Sequence, residues 1–382
     1  MSLNVVLENQ TELLKRGFTR RNFGRIASLV TAGAALPFYN EPALAQLSYR
    51  GDMPPDTVMI NANENPMGPC PEAADAIHSI VAKGGRYLYG ETFKLDRILA
   101  EQEGVKPTYV MAFAGSSDPL HRAVLSYASK DKPLIVGDPG YEAAARAANF
   151  VGAKVIQVPL TKTYAHDVRA MIAASSTPGL YYICNPNNPT GTLTSKEDIE
   201  YLVANKPAGS VVLLDEAYIH ISNAPMSSYL VAQDKDVIIL RTFSKLYGMA
   251  GLRAGAAIGR PDLLEPLLKW SAGANPITGM IAASTSLQVK GLVPQRRKII
   301  ADIREDTFAF LAGHNVTFIP AETNCFMVDV KRPGKQFQDA MLKEKVAIGR
   351  VWPIMPTYVR VTVGTKDEMA KFKSAFLKCY NA

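Results

Sequence analysis

Residues 211–218 read VVLLDEAY, four apolar residues followed directly by acidic and aromatic ones. A short, continuous apolar run is typical of a strand that is covered on both faces, as in a parallel sheet between helices. Runs of the same kind, separated by longer helical patterns, occupy residues 110–113, 134–136, 180–184, 237–240 and 254–258. Short apolar strands that alternate with helices predict an α/β fold with a mostly parallel sheet.

The pattern changes after Pro276. One long helical pattern runs over residues 278–312 and is followed by short candidate strands at 325–328 and 358–363. A final helix is predicted to begin at Thr365, because Glu368 lies three residues later and completes a capping box. These features predict a second, smaller α+β domain at the end of the sequence.

The composition is that of an ordinary globular protein. Of 382 residues, 47% are apolar and 20% are charged, and no apolar run reaches the roughly 18 residues that a membrane-spanning helix needs. The net charge of +7 is spread without a block of like charge, so it is weak evidence for nucleic-acid binding. The four cysteines are far apart in sequence, so neither a zinc site nor a disulfide framework is expected.

The first 45 residues resemble an export signal. Residues 19–25 read TRRNFGR, a small and apolar run follows at 26–36, and residues 43–45 read ALA. A basic, then apolar, then small-residue order predicts a secretory signal, and the paired arginines indicate the bacterial twin-arginine route. We therefore expect cleavage after Ala45 and a periplasmic location. The alternatives are a loosely attached N-terminal helix in a cytoplasmic protein, or an uncleaved anchor.

Polar clusters follow five of the predicted strands. They read GSSD at 115–118, DPGY at 138–141, NPNNPTG at 185–191, DEAY at 215–218 and TFSK at 242–245. Open α/β sheets bind ligands at the carboxyl ends of their strands, so these clusters are expected to form one site. Asn188 precedes Pro-Thr-Gly, which also has strong turn chemistry.

Three of these clusters have a chemical and a structural interpretation. Gly115, Ser116 and Ser117 at a helix start would bind an anion, although Ser117 would also serve as an N-cap. Asp215 would hold a positive charge, although a helix cap is the commoner use of aspartate after a strand. Lys245, among apolar neighbours, would lose hydration and become a nucleophile towards aldehydes, whereas an exposed lysine would only cover apolar groups.

Taken together, these residues resemble a known family. Asn188-Pro-Thr-Gly, the DEAY stretch at 215–218, and Ser244-Lys245 followed by Gly-Leu-Arg253 resemble the fold-type-I pyridoxal-phosphate aminotransferases of class I/II. The stretches NANENP at 61–66, RY at 86–87 and YVRVTVG at 358–364 resemble the histidinol-phosphate aminotransferase branch of that family. The resemblance extends from about Asn61 to the end of the sequence. It implies a large domain at 76–275 with a mostly parallel seven-stranded sheet between helices. An arm at 46–75 would precede that domain, and a smaller α+β domain at 276–382 would follow it.

The resemblance also implies catalytic roles. Lys245 would form a Schiff base with pyridoxal phosphate and carry a proton at the substrate α-carbon. Asp215 would pair with the pyridine nitrogen of the cofactor, and Asn188 and Tyr218 would bind its phenolic oxygen. Tyr141 would stack on the ring. A larger set would hold the phosphate: Gly115, Ser116, Ser117, Thr242, Ser244 and Arg253.

The remaining implied roles concern the substrate and a second subunit. Arg360, assisted by Arg350, would bind the acidic group of the substrate, and the segment around Asn63 would close over it. Tyr87 would reach the phosphate in the site of the other subunit, which requires a homodimer. Four of the five histidines (His121, His166, His220 and His314) lack ligand spacing with one another, so no metal site is expected.

The implied activity is a ping-pong amino transfer. The amino group would pass between histidinol phosphate, or a related amino compound, and the pair of 2-oxoglutarate and glutamate. Other activities on the same scaffold are an aromatic amino-acid transaminase and an amino-acid-phosphate decarboxylase. A non-catalytic sensor that keeps the cofactor pocket is a further alternative. Such sensors carry a helix-turn-helix domain ahead of this region, whereas the predicted signal and a short arm precede Asn61 here.

Overall fold

A central seven-stranded sheet and a smaller C-terminal sheet organise the chain. This computed structural model describes Met53 and residues 55–270 and 273–381. The signal predicted for residues 1–45, and the first residues of the arm predicted from residue 46, lie outside the described residues. In chain order the strands are β1 (Val58–Ile60), β2 (Val110–Phe113), β3 (Leu134–Asp138), β4 (Val155–Pro159), β5 (Leu180–Cys184), β6 (Val211–Asp215), β7 (Val237–Thr242), β8 (Gly255–Ile258), β9 (Phe318–Ile319), β10 (Cys325–Asp329), β11 (Val346–Ile348) and β12 (Tyr358–Thr362).

Helices cover the sheets. In chain order they are α1 (Pro71–Val81), α2 (Tyr89–Glu103), α3 (Ser117–Tyr127), α4 (Ala143–Phe150), α5 (Val168–Ala173), α6 (Lys196–Asn205), α7 (Ser228–Ala232), α8 (Pro261–Leu268), α9 (Ile277–Gln288), α10 (Leu292–Gly313), α11 (Gly334–Lys343) and α12 (Lys366–Tyr380). Short 3-10 turns lie at Pro107–Tyr109 and Ile219–Ile221. In the described part of the chain, no helix is both long enough and apolar enough to cross a membrane.

The large sheet has the order β2-β8-β7-β6-β5-β3-β4. The pairs β3/β4, β3/β5, β5/β6 and β6/β7 are parallel, whereas β8 runs antiparallel to both of its neighbours. Every residue of β5, β6 and β7 is buried. That burial is what their continuous apolar sequences predicted, because both faces of these strands lie under helices. The α/β prediction is confirmed, and the carboxyl ends of these strands lie at one edge of the sheet.

The small domain contains an antiparallel sheet of order β12-β10-β9. A separate parallel pair joins β1 to β11, with Val58 opposite Val346. The chain therefore returns to its described N-terminal segment to complete this region. Helix α12 begins with the predicted capping box, because the Thr365 hydroxyl accepts from the Glu368 amide and the Glu368 carboxylate accepts from the Thr365 amide. Such a cap stabilises a helix by about 1 kcal/mol.

The prediction of one long helix over 278–312 is wrong. The structure has two helices, because α9 ends at Gln288 and α10 begins at Leu292. Gly291 lies between them with a φ of 79°, a left-handed conformation that glycine adopts without steric cost. The break redirects the chain, so α9 packs against α1 and α2 while α10 continues into the small domain.

Candidate active site

A pocket at the carboxyl edge of the large sheet collects most of the predicted site residues. The predicted residues in the lining are Ser116, Ser117, Tyr141, Asn188, Asp215, Tyr218, Thr242, Ser244, Lys245 and Arg253. Five residues that were not predicted complete the lining: Ala62, Glu64, Cys184, Ala217 and Ala250. The structure thus places five separate sequence clusters around one space.

One end of the pocket is built to hold an anion. Side chains with hydrogen-bond donors converge there from α3, β7 and the loop before β8. Any Cβ at Gly115 would collide with the guanidinium of Arg253, and one at Gly255 would stand 2.6 Å from the Ser116 amide nitrogen. Arg253 itself has a φ of 56°, and its Nη1 donates to the Ser244 hydroxyl at 3.4 Å. The two glycines therefore let backbone and guanidinium approach closely enough to surround a phosphate.

The N-cap interpretation of Ser117 is wrong. Ser117 is the first residue of α3, and Ser116 occupies the N-cap position without a capping hydrogen bond from its side chain. Both serines line the pocket. Their hydroxyls and the amides of this first helical turn are thus placed to serve a bound anion, the arrangement that favours phosphate at a helix N-terminus.

Asp215 is a buried carboxylate that lines the pocket. Its side chain accepts a hydrogen bond from the Tyr182 hydroxyl at 2.9 Å and another from the Ala217 amide at 3.2 Å. Burial raises the pKa of Asp215 to about 6, despite these two hydrogen bonds. The helix-cap interpretation is wrong, because Tyr218 holds the N-cap position of the following turn. A carboxylate this dehydrated gains most from a protonated nitrogen as its partner.

Lys245 is equally withdrawn from water, with 8% of its surface exposed. Its Nζ donates to the backbone oxygen of Asn63 at 2.9 Å and lies 5.6 Å from the centre of the Tyr218 ring. The Asn63 amide in turn donates to the Tyr218 hydroxyl at 2.9 Å. The interpretation of Lys245 as an exposed lysine is therefore wrong, and its amine points into the pocket among fixed polar groups.

Asn63 connects the two domains at this point. It has a φ of 54° and is fully buried. Its backbone amide donates to the Thr362 hydroxyl at 3.0 Å, and that hydroxyl donates to the Asn63 side chain at 3.1 Å. Asn324 donates to the Asn63 backbone oxygen at 3.3 Å. The segment predicted to close over the substrate is thus anchored to β12 and to the loop before β10.

The two predicted substrate arginines occupy different positions. Arg360 is completely buried on β12 and donates to the Asn188 side chain at 3.0 Å and to the Asn61 backbone oxygen at 2.7 Å. Arg360 therefore does not lie on a solvated face of the sheet. Arg350 borders an adjoining cavity instead, where it pairs with Glu142 at 2.7 Å. Tyr87 is 71% exposed and is not part of the lining in its own chain.

Several residues around the site were not predicted. Tyr182 pairs with Leu213 in the β5/β6 register, which puts it diagonal to Asp215 on the same face. The alternation of side chains between the two faces of a strand was the one sequence feature that could have predicted the contact between Tyr182 and Asp215. Asn324 and Thr362, which hold Asn63, carry no local signal, because they reach the site through domain packing.

Comparison with known proteins begins with a family model. The model described as aminotransferase class I and II matches residues 55–376. The chain is 35% identical over 322 residues to histidinol-phosphate aminotransferase 1 of Nitrosococcus oceani, covering 82% of this chain and 86% of that protein. It is 31% identical over 326 residues to histidinol-phosphate aminotransferase of Moorella thermoacetica, covering 83% and 84%.

Solved structures show the same fold. A protein from Erwinia carotovora atroseptica superposes with a TM-score of 0.82 at 31% identity, covering 86% of this chain and 98% of that one. The histidinol-phosphate aminotransferase of Sinorhizobium meliloti, solved with pyridoxal-5'-phosphate, superposes with a TM-score of 0.79 at 24% identity. That match covers 91% of this chain and 95% of that structure.

Proposed function

Because the chain belongs to the class I and II aminotransferases and is a pyridoxal-phosphate-dependent transaminase, we propose that histidinol phosphate or a close relative is its amino donor. The amino group would pass to 2-oxoglutarate in a two-step, ping-pong exchange. The observation that carries the choice of an anionic donor is Arg360, whose buried guanidinium donates to Asn188 in the pocket wall. A guanidinium suits bidentate capture of an acidic group.

The pocket fits the cofactor at both ends. Asp215 would hold the pyridine nitrogen, and Asn188 and Tyr218 would hold the phenolic oxygen. When bound, pyridoxal phosphate supplies an electron-poor ring that stabilises negative charge at the substrate α-carbon. The phosphate would be held by the glycine-lined end of the pocket, with Ser116, Ser117, Thr242, Ser244 and Arg253.

The residues of this chain then position and move a proton. The amine of Lys245 accepts the proton from the substrate α-carbon and returns one during transfer, the work of a positioned general base and acid. The Asn63 backbone oxygen fixes that amine at 2.9 Å, and the Tyr218 ring limits its movement. Because the surroundings are buried, the charges of Asp215 and Arg360 act with little screening by water.

A panel of amino donors tests the proposed function directly. Each donor is added to the yellow holoenzyme, and the loss of the cofactor's visible absorbance is followed in a single turnover. We expect histidinol phosphate to react fastest, with glutamate also reacting. Faster reaction of an aromatic amino acid would instead indicate an aromatic transaminase, and release of carbon dioxide would indicate a decarboxylase. An unchanged spectrum with every donor would indicate a sensor.

A homodimer with shared sites is the second part of the proposal. Tyr87, Tyr89 and Phe93 are 71%, 56% and 58% exposed at the start of α2, and the two tyrosine rings stack with centroids 5.7 Å apart. Exposed aromatic side chains grouped in this way are typical of a protein–protein interface. In a two-fold symmetric dimer, both subunits use the same surface patch at the interface. Each subunit would therefore place its Tyr87 at the phosphate end of the pocket in the other subunit.

Mixed dimers test this sharing. Neither Lys245→Ala nor Tyr87→Phe protein should be fully active alone. After subunit exchange, each hybrid dimer would contain one site with both lesions and one site with neither. We expect the activity of the mixture to exceed that of either parent, measured with the best donor of the panel. Mass spectrometry shows whether the subunits have exchanged. If they have exchanged and the activity of the mixture does not rise above that of either parent, the sites are not shared.

Export is the third part of the proposal and rests on residues 1–45. The twin-arginine route carries folded proteins, and a ligand that binds only the folded chain stabilises it by mass action. We therefore infer that the chain folds around its cofactor in the cytosol and crosses the inner membrane loaded.

Cell fractionation tests the export route. Replacing Arg20 and Arg21 by lysine should leave active, cofactor-bound and uncleaved protein in the cytosol, because the change affects only the signal. The wild type should be periplasmic and begin at Gln46, as N-terminal sequencing would show. Active protein in the periplasm of cells without the twin-arginine translocase would refute the route. Wholly cytosolic, uncleaved wild-type protein would refute the signal itself.

A further inference from the structure

Arg350 is held rigidly beside the cofactor pocket. It follows β11, it is 7% exposed, and its guanidinium lies 4.6 Å from the centre of the Trp352 ring. The Trp352 indole donates to the Gly140 backbone oxygen at 3.0 Å, and Arg350 Nη1 donates to Glu142 at 2.7 Å. Both contacts reach from the small domain to the residues on either side of Tyr141. The guanidinium is therefore preorganised by its surroundings.

Arg350 and Glu142 border a cavity of about 680 Å³. This volume is in the range of small-molecule sites. Tyr141 lines both this cavity and the cofactor pocket, so the cavity adjoins the place where the substrate reacts. Cations outnumber acids among the charged lining residues, which are Asp138, Glu142, Arg146, Lys335 and Arg350. The cavity is large enough and sufficiently positive for the anionic arm of a substrate.

The two partners of the ion pair differ in their freedom to move. The side chain of Glu142 is 30% exposed, whereas that of Arg350 is 9% exposed. A carboxylate at the edge of solvent can turn outward and hydrate, whereas a buried guanidinium left without an anion is strongly unfavourable. An uncharged ligand therefore leaves the pair closed. An anion can take the place of Glu142, and a dianion gains more from Arg350 than a single negative charge does.

We propose that Glu142 competes with the anionic group of the substrate for Arg350 and thereby weakens the binding of anions, such as a phosphate ester, in this cavity. Glu142 holds the guanidinium until that group enters the cavity and displaces it. The choice of a phosphorylated donor rests on the proposed function. The competition between Glu142 and an anion does not.

Inhibition by inorganic phosphate measures the competition independently of the true donor. The holoenzyme is assayed with any amino donor that the wild type turns over, and the inhibition constant of inorganic phosphate is determined. We expect Glu142→Gln to lower that constant about tenfold, because the amide keeps the shape of the side chain and removes its charge. Glu344→Gln is the matched control. Its carboxylate is also 30% exposed and pairs with Lys378 at 2.7 Å, outside the cavity.

A second background isolates the role of Arg350. If Glu142 acts through this guanidinium, Glu142→Gln should give no gain in phosphate affinity when Arg350→Gln is already present. The cofactor absorbance of each variant shows that it is folded and loaded. An unchanged or raised inhibition constant in Glu142→Gln would overturn the proposal, as would equal gains in Glu142→Gln and Glu344→Gln. Absence of inhibition in both the wild type and Glu142→Gln would also overturn it.

A donor comparison separates this inference from the proposed function. In Glu142→Gln, the KM for histidinol phosphate should fall relative to the KM for histidinol. If the wild type does not turn over histidinol phosphate, the proposed function fails, whereas the phosphate inhibition constants still decide whether Glu142 competes for Arg350.

Discussion

Replacing Lys245 by alanine is expected to lower turnover by at least about 10²–10⁴-fold, the range for loss of a positioned proton-transfer group. The amine is 8% exposed and is held by the Asn63 backbone oxygen, so solvent cannot substitute for it with similar geometry. Borohydride reduction of the wild-type holoenzyme followed by peptide mapping gives a readout that does not depend on activity. The reduced cofactor should be found on the peptide that contains Lys245.

The control for this variant is a lysine outside the site. Lys269 lies exposed just after α8, and Lys269→Ala should retain both turnover and borohydride labelling of Lys245. Recovery of the label on a lysine other than Lys245 in the wild type would overturn the assignment. So would retention of turnover in Lys245→Ala.

Replacing Asp215 by asparagine is expected to lower turnover by about a hundredfold or more, the scale for removing one preorganised electrostatic group. An amide cannot stabilise a protonated pyridine nitrogen, so the ring withdraws electrons less strongly. The cofactor should still bind through its phosphate and Lys245, which its absorbance and its retention on gel filtration would show. Near-normal turnover would mean that Asp215 acts only in the local turn with Ala217.

The stability of the cofactor-free chain shows whether this loss reflects misfolding. Burial raises the pKa of Asp215 from 3.8 to about 6, so the folded chain binds the proton more tightly than the unfolded chain does. The wild type therefore loses stability as the pH rises from about 4 to about 6. Asparagine removes this penalty, which is on the order of 3 kcal/mol at pH 7. Cofactor-free Asp215→Asn should thus melt no lower than the wild type at pH 7.

The central sheet could be predicted from local sequence because its strands are buried on both faces. The run at 211–214 is apolar at every position, and helices cover both sides of it. Strand β4 escaped prediction because its residues are partly exposed and include Gln157 and Pro159. Strands β1 and β11 have three residues each, and their pairing depends on contacts far apart in sequence. The helix break at Gly291 depends on one backbone angle inside a helical pattern.

The cofactor pocket was predictable for a similar reason. Asp215 ends a buried strand, and Lys245 and Asn188 lie a few residues after the ends of two others. Parallel strands bring their carboxyl ends to one edge of the sheet, where these residues line the pocket. The surroundings of Arg350 were not predictable from sequence. Glu142 and Trp352 are more than 200 residues apart, and each acquires its role only when the small domain packs on the large one. Short sequence patterns do not predict contacts that form only through that packing.

The early position of Asn63 in the chain also determines when the site can form during synthesis. Thr362, which anchors Asn63, lies 299 residues later. At roughly 5–20 residues per second, a ribosome needs roughly 15–60 s to cover that distance. For most of this interval β1 lacks its hydrogen-bonding partner β11, which ends at Ile348, and Lys245 is made before Thr362, the last anchor of the Asn63 segment. The closed pocket therefore forms only after translation has passed Thr362.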